Sequence, residues 1–231
     1  MPYFYVDYWY VVLVIPAIIL SLIASWNVNH TFKKYSGIAS RSGLTGAESA
    51  RRVLAANGVF NVKIEHVSGN LTDHFDPRTN TIRLSDAVYN SNTVAAVGVA
   101  AHEAGHAVQY AVGYAPMKMR AAIIPVTNIG ANISWPLVLI GLLLGSYSLA
   151  MLGVIAFGFS TLFQLVTLPV EFNASHRAIN ALESTFSSEE EIKGAKKVLF
   201  AAAMTYVAAL AVSLANLLRL FFMVSGRSRR R

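Results

Sequence analysis

From Ala121 to Leu168 the chain runs without one charged residue. A helix needs roughly 20 mostly apolar residues to cross the hydrocarbon core of a bilayer, which is about 30 Å thick. The stretch is too long for one crossing and suits two, joined near Gly145-Ser146-Tyr147-Ser148. Pro125 and Pro136 are compatible with this, because neighbouring helices can satisfy the backbone groups that a proline frees. A third apolar run extends from about Tyr8 to Trp26, flanked by Tyr3, Phe4, Tyr5, Tyr8, Trp9 and Tyr10 on one side and Trp26 on the other. Rings at both ends of a run form the belt expected at headgroup level. Asp7, with no Lys or Arg before it, argues for a retained anchor over a cleaved signal peptide. A fourth run covers about Leu199 to Val224, with Arg219 near its end placed to snorkel. The expectation is four spans, the weakest being Ala121 to Ile133, which as an alternative lies on the membrane or packs as a buried helix.

Composition agrees: 13% of residues are charged and 55% are hydrophobic, against about 25% charged in soluble domains. Disorder is excluded, since it requires low hydrophobicity. With no Cys there is no disulfide framework, Cys-based zinc ribbon or thiol nucleophile, so any metal is held by His, Asp or Glu. The net charge of +7 does not indicate nucleic acid. The only dense basic cluster is Arg227, Arg229, Arg230 and Arg231 beside the last span, a place where anionic lipid is the usual partner. Ten Lys/Arg lie between Asn27 and Arg120 and four between Pro169 and Lys197. Two spans separate these regions, so both face one side, and the positive-inside rule makes that side cytoplasmic. The tail would then fall outside, against the rule.

The chain accordingly divides into an anchor (1–26), an α+β catalytic domain (27–120), two spans (121–168), a loop and helix (169–198), and a last span with its basic tail (199–231). In the polar domain, Thr45-Gly46-Ala47-Glu48 has capping-box spacing and opens a helix that Asn57-Gly58 stops. NVKIEHV alternates like a strand. LTDHF and NTIRLS flank Asp76-Pro77-Arg78-Thr79 as a hairpin with a Pro-set turn. Ser85 or Asp86 is read as the cap of a short helix, and Asn92-Thr93 opens a longer one to about Val112-Gly113.

That longer helix carries His102-Glu103-Ala104-Gly105-His106. Side chains at i and i+4 share a helix face, so both imidazoles can aim at one tetrahedral ion. Glu103 borders the site without being a ligand and is placed to take a proton from a metal-activated water, then pass it to the leaving amine. Gly105 leaves room beside the metal. The bland alternative is an amphipathic helix with solvent-facing histidines, but a polar trio on an otherwise apolar helix needs partners.

A catalytic zinc takes three protein ligands and an open position. The metzincin pattern fails, with Gln109 where Gly belongs and Val112 where the third His belongs. The Asp-Gly of intramembrane proteases is absent, since Asp7, Asp73, Asp76 and Asp86 all lack a following Gly. The remaining candidates are Glu171, Glu183 and the run Glu189-Glu190-Glu191. The run reads as a solvated face. Glu171, in LPVEFNASHRA directly after the third span, is the best of them. Arg177, His176 and the more distant Tyr206 are candidates to stabilise the oxyanion. His30, His66 and His74 read as surface or hairpin histidines. NTIRLS is either an edge that holds an extended substrate by β-augmentation or a simple structural strand.

Taken together, LTDHFDPRTNTIRLS, VAAVGVAAHEAGHAVQ and LPVEFNASHRA resemble the YugP-type zinc-dependent membrane metallopeptidases, relatives in plan of the HtpX-like and CAAX-prenyl-protease gluzincins. The resemblance covers nearly the whole chain. It implies a mainly α, multi-span membrane protein with a small α+β zinc-protease domain. It also implies one zinc ion, His102, His106 and Glu171 as ligands, and Glu103 as general base. HtpX-like relatives carry E-x-x-x-D, whereas Ser175 stands at the last position here, so Asn173 or Ser175 would have to orient a ligand His. The expected activity is a membrane-bound zinc endopeptidase acting on a peptide or membrane-protein segment at the bilayer. The rival keeps the fold as a zinc-binding scaffold or chaperone-like pseudoenzyme, and the intact Glu103 argues against it. A transporter reading finds only Asn128, Asn132, Gln164 and hydroxyls as polar groups in the central stretch and ranks low.

Overall fold

The structure, a computed structural model, describes residues 7–183 and 188–228. The aromatic flank Tyr3, Phe4 and Tyr5, the tail Arg229–Arg231 and the Arg227 side chain lie outside the described residues. Six α-helices and a three-stranded sheet form in the order α1 (Ile15–Ser36, entered through a π-turn at Tyr10–Val14), α2 (Gly46–Ala56), β1 (Lys63–His66), β2 (His74–Asp76), β3 (Thr81–Leu84), α3 (Val94–Ala111), α4 (Ala115–Leu143), α5 (Tyr147–Glu183) and α6 (Glu189–Ser228). Among the described residues four helical stretches are long and apolar enough to cross a membrane: Tyr10–Ser36, Ala115–Leu143, Tyr147–Glu183 and Glu189–Gly226. This is a mainly α membrane protein with a small α+β part. The helices outrun the apolar segments, and the chain folds into two compact units.

The first unit comprises the described residues up to Ala24, Met119–Leu168 and those from Thr205 onward. Gly145, at φ +66°, breaks the helix between α4 and α5 where the sequence suggested a joint. A left-handed backbone there is one that glycine adopts without steric cost. A Cβ on Gly153 would lie 2.7 Å from the Ser134 carbonyl oxygen, and one on Gly130 would lie 2.6 Å from that of Ala156. Small residues thus let α4 and α5 approach backbone to backbone, as membrane helices do. Arg219 has partners of its own within this unit. Its Nε donates to the Asp7 carboxylate at 2.7 Å, and its guanidinium lies 5.0 Å from the centre of the Tyr10 ring.

The second unit comprises Ser25–Lys118 and Pro169–Met204. The Thr45 side chain accepts from the Glu48 N–H while Glu48 reaches back to the Thr45 N–H, completing the capping box of α2. Ala50, Val53 and Leu54 of α2 join Ile82 and Leu84 of β3 and the alanine-rich face of α3 in one core. The sheet order is β1-β3-β2, with β1 parallel and β2 antiparallel to β3. β2, the turn and β3 form the expected hairpin, but NTIRLS is the central strand and not an edge. Its side chains explain this: Thr81, Ile82 and Leu84 are buried, whereas β1 and β2 are largely exposed or half-buried.

The helix expected after Ser85 is a series of turns over 86–90. The Asp86 carboxylate accepts from Gly69 N–H (2.9 Å) and pairs with His66 (2.7 Å) instead of capping. Thr93 then caps α3 by accepting from the Ala96 N–H. Glu191 departs from the solvated reading: it is buried and accepts from the Arg41 N–H at 2.7 Å.

Candidate metal centre

α3 carries His102 and His106 one turn apart, as its spacing dictates, and α5 brings Glu171 against them. A Cβ on Gly105 would lie 2.6 Å from the Ala174 carbonyl oxygen. The glycine therefore makes room for the backbone of α5, not for the ion itself, and that close approach delivers Glu171 to the histidines. The donor atoms of His102, His106 and Glu171 all lie within 4.8 Å of one another. Glu171 Oε2 is 3.2 Å from His102 Nε2 and 3.4 Å from His106 Nε2. Glu183, a rival for third ligand, instead pairs with Lys196 at 3.1 Å.

Both Nδ1 atoms face outward to neutral partners. Ser175 Oγ lies 3.2 Å from His102 Nδ1 and Gln109 Oε1 lies 3.0 Å from His106 Nδ1. Ser175 thus occupies the place left by the missing carboxylate. Gln109 escaped the sequence reading, which treated it only as a failed metzincin glycine. The available signal was a lone amide on an otherwise apolar helix, one turn after the second histidine, and it is fully buried.

The hydrogen bonds fix the direction of this chain. Arg177 is only a donor, so its Nε, 2.9 Å from Asn173 Oδ1, identifies that atom as the acceptor. Gln109 Nε2 donates to the same Oδ1 (3.0 Å) and to the Val170 carbonyl (2.8 Å). Its Oε1 must then accept from His106, which places a proton on Nδ1 and leaves Nε2 to face Glu171. The structure thus brings Arg177 to Asn173, and through Gln109 to His106. His176 bonds to Asn180 on the same helix, while His66 and His74 pair with Asp86 and the Thr72 carbonyl.

An Nε2 lone pair facing a carboxylate oxygen repels it unless a cation stands between them. Glu171 is 2% exposed, and a buried carboxylate is held only by positive or hydrogen-bonding neighbours. Burial opposes protonation of His106, but the Glu171 and Glu103 carboxylates outweigh it and hold its pKa above the ordinary value. The pocket therefore attracts positive charge. Two imidazole nitrogens and one carboxylate oxygen are the donor set of a catalytic zinc, and a divalent ion would satisfy all three together. Glu103, itself buried, adds a second carboxylate near the histidines.

A family described as "Putative neutral zinc metallopeptidase" matches residues 10–225. The chain belongs to this family. It is also 46% identical over 220 residues to "Putative membrane protease YugP" of Bacillus subtilis (strain 168), covering 94% of this chain and 98% of that protein. No solved structure matches the chain. Family membership, the relative's name and the four apolar helices together support a zinc-dependent protease associated with a membrane.

Proposed function

We propose that the protein is a multi-pass membrane zinc endopeptidase of gluzincin type, with one zinc ion held by His102, His106 and Glu171. The convergence of these three donors behind an H-E-x-x-H helix carries the reading. The ion, when bound, would polarise the scissile carbonyl and acidify a water. Glu103 takes the proton of the attacking water and returns it to the departing amine, which joins the new C–O bond to cleavage of C–N without net proton loss. Gln109 and Ser175 keep both imidazoles aimed inward. Arg177 serves through Asn173 as a positioning residue, beside the oxyanion role that its sequence position suggested. His176 and Tyr206 have no assigned part.

The substrate is a peptide segment of a membrane or membrane-adjacent protein. β2 is the sheet edge beside α3, where Phe75 meets Tyr110 at 5.8 Å between ring centres. A substrate strand pairing with β2 would be gripped through its backbone. The excess of Lys and Arg supports a cytoplasmic catalytic side of the cell membrane. Cleavage of a casein-type peptide by the detergent-purified protein tests the reading. Glu103→Gln should lower turnover by about 10²–10⁴. Equal turnover in wild type and variant contradicts the assignment of the base, and no cleavage by zinc-loaded wild type favours the scaffold.

A further inference from the structure

α1, α5 and α6 enclose a groove of about 690 Å³ within the second unit. Its two ends differ in chemistry. Tyr35 of α1 packs against Gly194 of α6, so Lys34 and Lys197 share one end. Two helical turns away, Asn27 and Ala203 mark the other, and Phe172, Leu199 and Phe200 supply apolar wall between them. Among the described residues no Asp or Glu lines the groove itself, while Lys34 and Lys197 also border a neighbouring pocket that holds Glu190 and Glu191. Along each of the three helices the lining residues adjoin that helix's apolar run.

We propose that this groove holds an anionic phospholipid, its phosphate at Lys34 and Lys197 and an acyl chain along Phe172, Leu199 and Phe200. The walls are entirely helical, so their backbone N–H and C=O groups are already paired. An extended peptide would find no strand edge there, and recognition falls to side chains. Lysine ammonium groups read phosphate as point charges, and basic pockets between helices at headgroup depth suit anionic lipid. The groove contains none of the three metal donors but reaches Ser175, which bonds to His102 Nδ1, and the inference does not depend on the protein being a peptidase.

The test is phospholipid retention by the full chain in phosphatidylcholine nanodiscs doped with phosphatidylglycerol, read by mass spectrometry of the bound lipid. Wild type should retain phosphatidylglycerol over phosphatidylcholine. Lys34→Gln with Lys197→Gln should weaken retention about thirtyfold, while Lys33→Gln, outside the groove lining, should not change it. These lysines are exposed on helices, and glutamine is a good helix former. Phe200→Asp places a negative charge on the apolar wall and should expel the lipid without touching either lysine. Undiminished retention in both the double variant and Phe200→Asp overturns the proposal. So does displacement of the lipid by inorganic phosphate alone, which would mean a simple anion site, or by an acidic peptide, which would mean a protein-docking site.

Discussion

The donor set is polarised from outside by groups that never touch the ion. Arg177 fixes the direction of Asn173, Asn173 that of Gln109, and Gln109 the tautomer of His106. Gln109→Leu removes the acceptor at Nδ1 and one donor each from the Asn173 and Val170 oxygens, so zinc affinity should fall by about 10–100-fold, measured by competition with a chelator. Ser175→Asp restores a carboxylate behind His102 and should tighten zinc, read in the same competition. An unchanged affinity in Gln109→Leu would mean that the tautomer is set elsewhere. The candidate ligand pair His102 and His106 was legible because i and i+4 share a helix face. Gln109 was not, because no spacing rule distinguishes a buried orienting amide from a tolerated one. The burial of Glu191 was equally hidden: its partner is the Arg41 backbone N–H, 150 residues away, and backbone donors leave no trace in sequence.

At the scale of elements, the contact between α3 and α5 decides whether Glu171 arrives. Gly105→Ala puts a methyl 2.6 Å from the Ala174 carbonyl oxygen, which backbone cannot avoid by changing a rotamer. The variant should lose about 1–3 kcal/mol of stability and bind zinc less tightly, as measured by denaturant unfolding beside the chelator assay. The β2–β3 turn gives a prediction about acid. Hydrogen bonds from Arg78 N–H, Arg83 and Thr79 hold the Asp76 pKa down to about 2. A depressed carboxylate stabilises the fold fully above its unfolded value of about 3.9, and that contribution is lost as pH falls through the folded value. Between about pH 4 and 2 wild type should therefore lose stability more steeply than Asp76→Asn, seen in melting temperatures over that range. The hairpin itself was readable from its Pro-set turn and flanking alternation. The position of β3 between its neighbours was not, because parallel pairing with β1 is non-local and alternation does not say which strand lies in the middle.

For the whole molecule, four apolar helices were evident from the length of their apolar runs, yet their true ends were not. α1 continues beyond Trp26 to Ser36 and α6 begins at Glu189, ahead of its apolar run. Capping and tertiary packing, not hydropathy, set those limits. A chain without Cys suits single-cysteine labelling of a multi-pass topology: Thr79→Cys and Ser146→Cys should react with a membrane-impermeant thiol reagent from opposite sides of intact vesicles. The Asp7–Arg219 pair should matter to the first unit, and Arg219→Leu should cost about 1.5–3 kcal/mol, as expected for a hydrogen bond to a charged group, measured as a lowered melting temperature in detergent. The central claim is that two helices jointly hold one catalytic metal. Metal analysis of purified wild type, Glu103→Gln and Glu171→Ala tests it most directly. The account predicts one zinc per chain in the first two and none in Glu171→Ala, whereas a full zinc complement in Glu171→Ala would contradict it.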